Sequence, residues 1–160
     1  MEDTYQYQLI KRSQLAEIGA LYAECFNLAD IGEHWEAVAA EQFLRYLYNI
    51  QPNLFFVCTK DEKIIGAIVG VIKPWCDGNH IHEIELFVHP NHQRRGIATR
   101  LTRLIVQTAL EKYAITEFEG IADGSQHDFP LSWYKRMGVN PSGLIHIAGK
   151  PEAMLKNLTI

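Results

Sequence analysis

Apolar and polar residues alternate weakly over residues 5–11, which predicts a first strand. Ser13 then caps a run with apolar residues at Leu15, Ile18, Leu21, Tyr22 and Cys25, close to helical period. A second amphipathic stretch, from about residue 33 to 48, has Trp35, Val38, Phe43, Leu44 and Leu47 as its apolar stripe and stops before Pro52. Two β-branched or aromatic runs, 54–59 and 64–73, flank Lys60-Asp61-Glu62-Lys63, the pattern of an antiparallel hairpin with a four-residue polar turn. Residues 74–79 read as a loop and 81–88 as a fourth strand. Residues 91–96 lead into a long helix with Ile97, Leu101, Leu104, Ile105 and Ala109 on one face. A fifth strand over 115–122 follows, then a short helix opened by Asp128-Phe129-Pro130 and running to Met137. A last strand over 144–148 and a terminal helical turn over 151–158 complete the order β-α-α-β-β-β-α-β-α-β.

At 160 residues, without repeats or a Pro/Gly/Ser-rich linker, the chain is expected to be one domain over 1–160 that buries about two-thirds of its unfolded surface. Hydrophobic residues at 48% and charged residues at 21% exclude disordered, collagen-like and coiled-coil classes. The net charge of -4, spread without blocks of one sign, gives no pull toward nucleic acid or anionic membrane and suits a cationic partner slightly better. Cys25, Cys58 and Cys76 are far apart and form no CxxC pair, so a reducing compartment is expected, with neither a disulfide framework nor a zinc ribbon. The first residues, Met1-Glu2-Asp3-Thr4-Tyr5, are acidic, and the longest apolar run, 64–72, is about half a membrane span. A cytoplasmic protein with no membrane partner is therefore expected.

The stretch Val88-His89-Pro90-Asn91-His92-Gln93-Arg94-Arg95-Gly96-Ile97-Ala98-Thr99 delivers a basic, glycine-containing turn from a strand end to a helix start. Such a start leaves about four backbone N–H groups without helical partners and carries roughly half a positive charge. Gly96 and small Ala98 let a phosphate approach the backbone, and Arg94, Arg95 and Arg100 add mobile positive charge. No aromatic stacking series accompanies Arg94, Arg95, Arg100 and Arg103, so nucleic acid is not the expected anion.

Gln93-Arg94-Arg95-Gly96-Ile97-Ala98 resembles the Q/R-x-x-G-x-G/A pyrophosphate signature of the GNAT superfamily of N-acetyltransferases. Leu86-Phe87-Val88-His89-Pro90 resembles the family's fourth strand, and Trp133-Tyr134-Lys135-Arg136-Met137-Gly138-Val139 its late Y-x-x-x-G-F/V segment. An asparagine common about seven residues before the tyrosine is replaced here by His127, beside Asp128. A doubly wound nucleotide-binding fold would instead place GxGxxG or GxxxxGK[ST] after the first strand, and neither motif is present.

The resemblance implies an α/β (α+β) fold with a mixed, mostly antiparallel sheet flanked by helices. It also implies acetyl-CoA as acyl donor, its pantetheine along Leu86, Phe87 and Val88 and its pyrophosphate on Gln93, Arg94, Arg95, Gly96, Ile97, Ala98 and Thr99. Tyr134 is implied near the cofactor sulfur as the acid for the departing thiolate, and a phenol near pKa 10 suits that task. The base role stays open among Glu83, Glu85 and His82: a regular strand puts Glu83 and Glu85 on one face with Ile81 and Phe87, and a bulge would switch the alternation. That alternation also argues against a metal site at His80, His82, Glu83 and Glu85. The acceptor is expected to enter between the first two helices and strand four, where Asp30, Glu33, Glu36, Glu83 and Glu85 would present a negative wall to a small cationic amine, the expected small-molecule acceptor. A protein or peptide amine, and a non-catalytic acetyl-CoA sensor, are the alternatives. A homodimer is a further expectation, with the strand at 144–148 as its pairing edge.

Overall fold

The β-branched runs on either side of residue 61 form the middle of a five-stranded sheet in the computed structural model of the chain, which describes residues 5–29, 32–122, 130–144, 146 and 148–157. The chain divides into two units, Met1–Ala122 and Asp123–Ile160. The first holds strands β1 (Gln6–Leu9), β2 (Phe55–Lys60), β3 (Lys63–Trp75), β4 (Gly78–Val88) and β5 (Ile115–Phe118), with helices α1 (Leu15–Ala29), α2 (Ala37–Ile50) and α3 (Ile97–Tyr113). The strands lie in the order β1-β2-β3-β4-β5; the first three pairings are antiparallel, and β5 runs parallel to β4. The mixed, mostly antiparallel sheet flanked by helices is the architecture expected from the sequence.

Both faces of β2 and β3 are buried, which explains their near-continuous apolar runs. Phe55, Val57, Ala67, Val69, Val71 and Phe87 pack with Leu15, Ile18, Tyr22 and Leu44 of α1 and α2. On the opposite face Phe56, Cys58, Ile68, Ile81 and Val88 pack with Ile97, Leu101 and Ile105 of α3. The α1–α2 contact depends on Gly19, where an added Cβ would lie 2.7 Å from the Glu41 backbone nitrogen. Backbone cannot yield as a side chain does, so Gly19→Ala is expected to cost about 1–3 kcal/mol, read as a lowered denaturant midpoint.

The hairpins are tighter than the sequence suggests. Lys60 pairs with Lys63, leaving a two-residue turn in which Asp61 (φ 49) and Glu62 (φ 64) both adopt positive φ. The expected loop at 74–79 is largely strand, because β3 and β4 pair out to Trp75 and Gly78. Long-range contacts there override the loop-like composition. The Lys73 ammonium lies 4.5 Å from the Trp75 ring and 2.7 Å from Glu119 Oε2, while His80 bridges Asp77 and Glu119.

β5 is shorter than the predicted 115–122, since its ladder with β4 ends at Ile81 and Phe118. One further bond, Glu119 N–H to the Ile81 carbonyl at 2.8 Å, closes it. No helix among the described residues is long and apolar enough to cross a membrane.

The second unit contains α4 (Leu131–Arg136) and α5 (Pro151–Asn157). Pro130 precedes α4, its carbonyl accepting from the N–H groups of Trp133 and Tyr134, and Gly138 (φ 85) follows it. The expected strand at 144–148 is not formed by its described members: Leu144, His146 and Ala148 lie outside any strand, and Leu144 is 89% exposed. An apolar run alone makes no strand without a partner to accept its hydrogen bonds, and none pairs here among the described residues. Asp30, His127, Asp128, Ile145 and Ile147 lie outside the described residues.

Candidate active site

The register of β3 against β4 slips where the sequence left the base undecided. Val71 pairs with His82 and Val69 with Glu85, so two residues of β4, Glu83 and Ile84, stand opposite the one residue Gly70. Glu83 takes a positive φ of 51 to make this bulge. Gly70 leaves the room for it, because an added Cβ would meet the Ile84 and Ile81 side chains at 2.6 and 2.9 Å.

The extra residue inverts the alternation. Directly paired residues share a face, so His82 lies with Val71, Glu85 with Val69 and Phe87 with Ala67, all toward α1 and α2. Ile81, Ile84, Leu86 and Val88 belong to the α3 face. The regular-strand grouping of Ile81 with Glu83, Glu85 and Phe87 is thus corrected. Glu85 and Phe87 stay together, His82 joins them, and Ile81 moves to the other side. Glu83, with its side chain 54% exposed, sits at the bulge 3.6 Å from His82 Nδ1.

Glu85 is the partly buried carboxylate of this face, and its Oε2 accepts a hydrogen bond from the Tyr22 hydroxyl at 3.0 Å. Burial pushes its pKa up to about 7, with the charges of Glu33 and Glu83 adding to the rise and the Tyr22 bond opposing it. The Tyr22 phenol is itself held well above its ordinary value, first by burial and then by Glu85, so it remains a donor throughout the working range. Around it stand Phe26 (stacked, 4.2 Å between centroids), Phe87 (5.1 Å), Trp35 (5.2 Å) and Phe43 (5.9 Å). Trp35 is anchored by paired bonds between its backbone and the Asn27 side chain, and its indole N–H donates to Glu33 at 2.7 Å. His82 is pushed below its ordinary pKa, chiefly by burial.

Beyond Ile81, β4 has no strand partner on its β5 side among the described residues. His80, 5% exposed, fixes the point of separation: its Nδ1 meets Glu119 Oε1 and its Nε2 lies 2.7 Å from Asp77 Oδ1. The Glu119 bond raises the His80 pKa, and Lys73 with His80 lowers that of Glu119. Leu86, Phe87 and Val88 follow the bulge and lead into the turn before α3. There Gln93 Nε2 donates to the Val88 carbonyl at 3.0 Å, Arg94 takes a positive φ of 59 and Gly96 caps the helix at φ 78. Among the described residues no side-chain hydrogen bond caps this N-terminus at Gly96, and an added Cβ there meets nothing within 4 Å. Arg94, Arg95, Gly96 and Thr99 are exposed, Ala98 is half-buried and Ile97 is buried beneath them. The turn therefore offers open backbone donors and free approach, which fits the pyrophosphate of a CoA thioester.

Tyr134 lies on α4 in the second unit, its ring 5.0 Å from that of Trp133. No group of three His, Cys, Asp or Glu among the described residues is arranged to hold a metal ion. Cys25 and Cys58 are buried with raised thiol pKa values, Cys25 to about 12, so neither is an accessible thiolate. Two residues of the site escaped the sequence reading. Tyr22 read only as part of an apolar helix stripe, although a hydroxyl there demands a buried partner. Glu119 read as an ordinary strand residue.

The comparisons agree with this geometry. The family described as Acetyltransferase (GNAT) family matches residues 15–138. An uncharacterized N-acetyltransferase of Methanocaldococcus jannaschii is 26% identical over 147 residues, covering 84% of this chain; the chain spans 60% of that curated relative. Among solved structures, a possible acetyltransferase from Clostridium difficile 630 superposes with a TM-score of 0.74 at 12% identity, covering 91% of this chain and 97% of the other. An aminoglycoside N-acetyltransferase in complex with CoA gives 0.70 at 14% identity, covering 94% and 97%. With the bulged fourth strand, the uncapped α3 turn and a family match over most of its length, the chain belongs to the acetyltransferase (GNAT) family.

Proposed function

We propose that the chain is one N-acetyltransferase domain, residues 1–160, that moves an acetyl group from acetyl-CoA to a small cationic primary amine by direct transfer in a ternary complex. The observation that carries this reading is Glu85: a half-buried carboxylate with a pKa raised to about 7, just after the bulge and just before the strand segment that leads to Gly96. Such a group is half ionised near neutral pH and accepts a proton from an ammonium without being a permanent ion pair for it. Glu33 and Glu83 add negative charge for attracting the cation, and Leu86, Phe87 and Val88 with Gln93 to Thr99 hold the donor. The amine nitrogen, its first proton passed to Glu85, attacks the thioester carbonyl; the C–S bond breaks, the phenol of Tyr134, in the role its motif implies, gives its proton to the thiolate, and the second proton released by the acetylated nitrogen restores the phenol through solvent. Support for Tyr134 is its motif, Trp133-Tyr134-Lys135-Arg136-Met137-Gly138, inside the matched segment.

Thiol release from acetyl-CoA across a panel of small amines tests the reaction. Tyr134→Phe is expected to lower kcat about 100-fold while leaving acetyl-CoA affinity within about twofold. Equal turnover in mutant and wild type removes the proposed acid. Acetyl-CoA binding without thiol release for any amine makes the chain a sensor instead.

A further inference from the structure

We propose that Tyr22 is the positioning residue for Glu85, fixing one carboxylate oxygen so that the other is presented to the acceptor amine. The inference rests on the reading of Glu85 as base. Its geometry is direct: the Tyr22 hydroxyl donates to Oε2 at 3.0 Å, and Oε1 accepts no hydrogen bond among the described residues. The two groups come from elements far apart in sequence, α1 and β4, and they meet because the bulge at Glu83 turns Glu85 toward α1. A hydroxyl can locate a carboxylate only if its own ring is fixed. Tyr22 is 2% exposed and its ring is held by Phe26, Trp35, Phe43 and Phe87. A rotamer change would break several aromatic contacts at once, so the bond has one geometry.

The titratable groups facing Glu85 are Tyr22 from α1, Glu33 from the segment before α2, and Glu83 on β4 itself; its β3 partner Val69 contributes none. Of these only Tyr22 favours the carboxylate. Burial, Glu33 and Glu83 all favour the neutral acid. Tyr22 therefore performs two tasks in one contact: it aims the carboxylate and keeps it ionisable near neutrality.

The test is a titration of the Glu85 side-chain carboxyl by carbon-13 NMR in the full chain, which needs no acceptor. In Tyr22→Phe, which keeps the packed ring, the midpoint is expected to rise by roughly one unit or more, since a hydrogen bond to a charged group is lost. With 3-fluorotyrosine at position 22, a stronger donor on nearly the same ring, the midpoint is expected to fall, and this second arm stands even if the phenylalanine variant does not fold. An unmoved midpoint in either folded protein overturns the proposal. The base reading fails separately: unimpaired turnover in Glu85→Gln removes the base, whatever the titrations show.

Discussion

Glu85→Gln is expected to lower kcat/KM for amine acetylation by about 10²–10⁴-fold while acetyl-CoA binds as before, because the amide keeps the shape of the carboxylate and removes its capacity to take a proton. The wild-type enzyme should lose kcat/KM as pH falls below about 7, where Glu85 becomes the neutral acid. In Glu85→Gln that acid limb should vanish along with most of the rate. Stability gives a second signature with a definite sign. A carboxyl whose folded pKa is raised binds more protons folded than unfolded, so its contribution to stability falls as pH rises from the ordinary carboxyl value to about 7, then stays constant. Glu85→Gln should therefore melt no lower than wild type at pH 8, and the wild type should gain on it as pH drops. A mutant that is both inactive and markedly less stable at pH 8 would point to a structural carboxylate. Retained activity would pass the base role to His82 or Glu83, the remaining ionisable groups at the bulge.

The parts of the fold that could be read from the sequence are those whose signal is local. The apolar periodicity of α1 and α3, the near-continuous β2 and β3, and the Gln93-to-Thr99 turn each carry their pattern within a short stretch, and each stands where expected. The β3–β4 tip could not be read, because Lys73, Pro74 and Trp75 are held as strand by partners up to 46 residues away, Glu119 among them. The last strand, 144–148, shows the converse: a short, mostly apolar run with nothing in the described residues to pair with. The base remained undivided for a physical reason. One inserted residue at Glu83 decides which side chains face α1, and bulges have no strict composition: here it is a glutamate at positive φ opposite a glycine. Tyr22 lay further out of reach, since its partner is 63 positions along the chain.

Gly96→Glu is expected to abolish acetyl-CoA binding while leaving the protein folded. In wild type, acetyl-CoA at about 100 times its dissociation constant adds ~2.7 kcal/mol, a shift of several degrees in Tm for a protein of this size. Gly96 is exposed, and a new Cβ there touches nothing within 4 Å, so the substitution creates no clash inside the protein. Its cost to folding is limited to the left-handed conformation at φ 78, roughly 1–2 kcal/mol for a residue with a Cβ. Its effect on the ligand is larger. The carboxylate enters the space that a phosphate needs, at the N-terminus of α3, and repels it where the open N–H groups and helix dipole would attract it. Gly96→Asn separates these causes, because asparagine tolerates the left-handed conformation and carries no charge. It should keep most of the wild-type Tm and lose only part of the acetyl-CoA shift. Equal loss in both variants would make steric access the controlling factor. A full shift retained in Gly96→Glu would place the pyrophosphate away from this turn, and the cofactor roles proposed for Gln93 through Thr99 would fall together, since all depend on the same helix start.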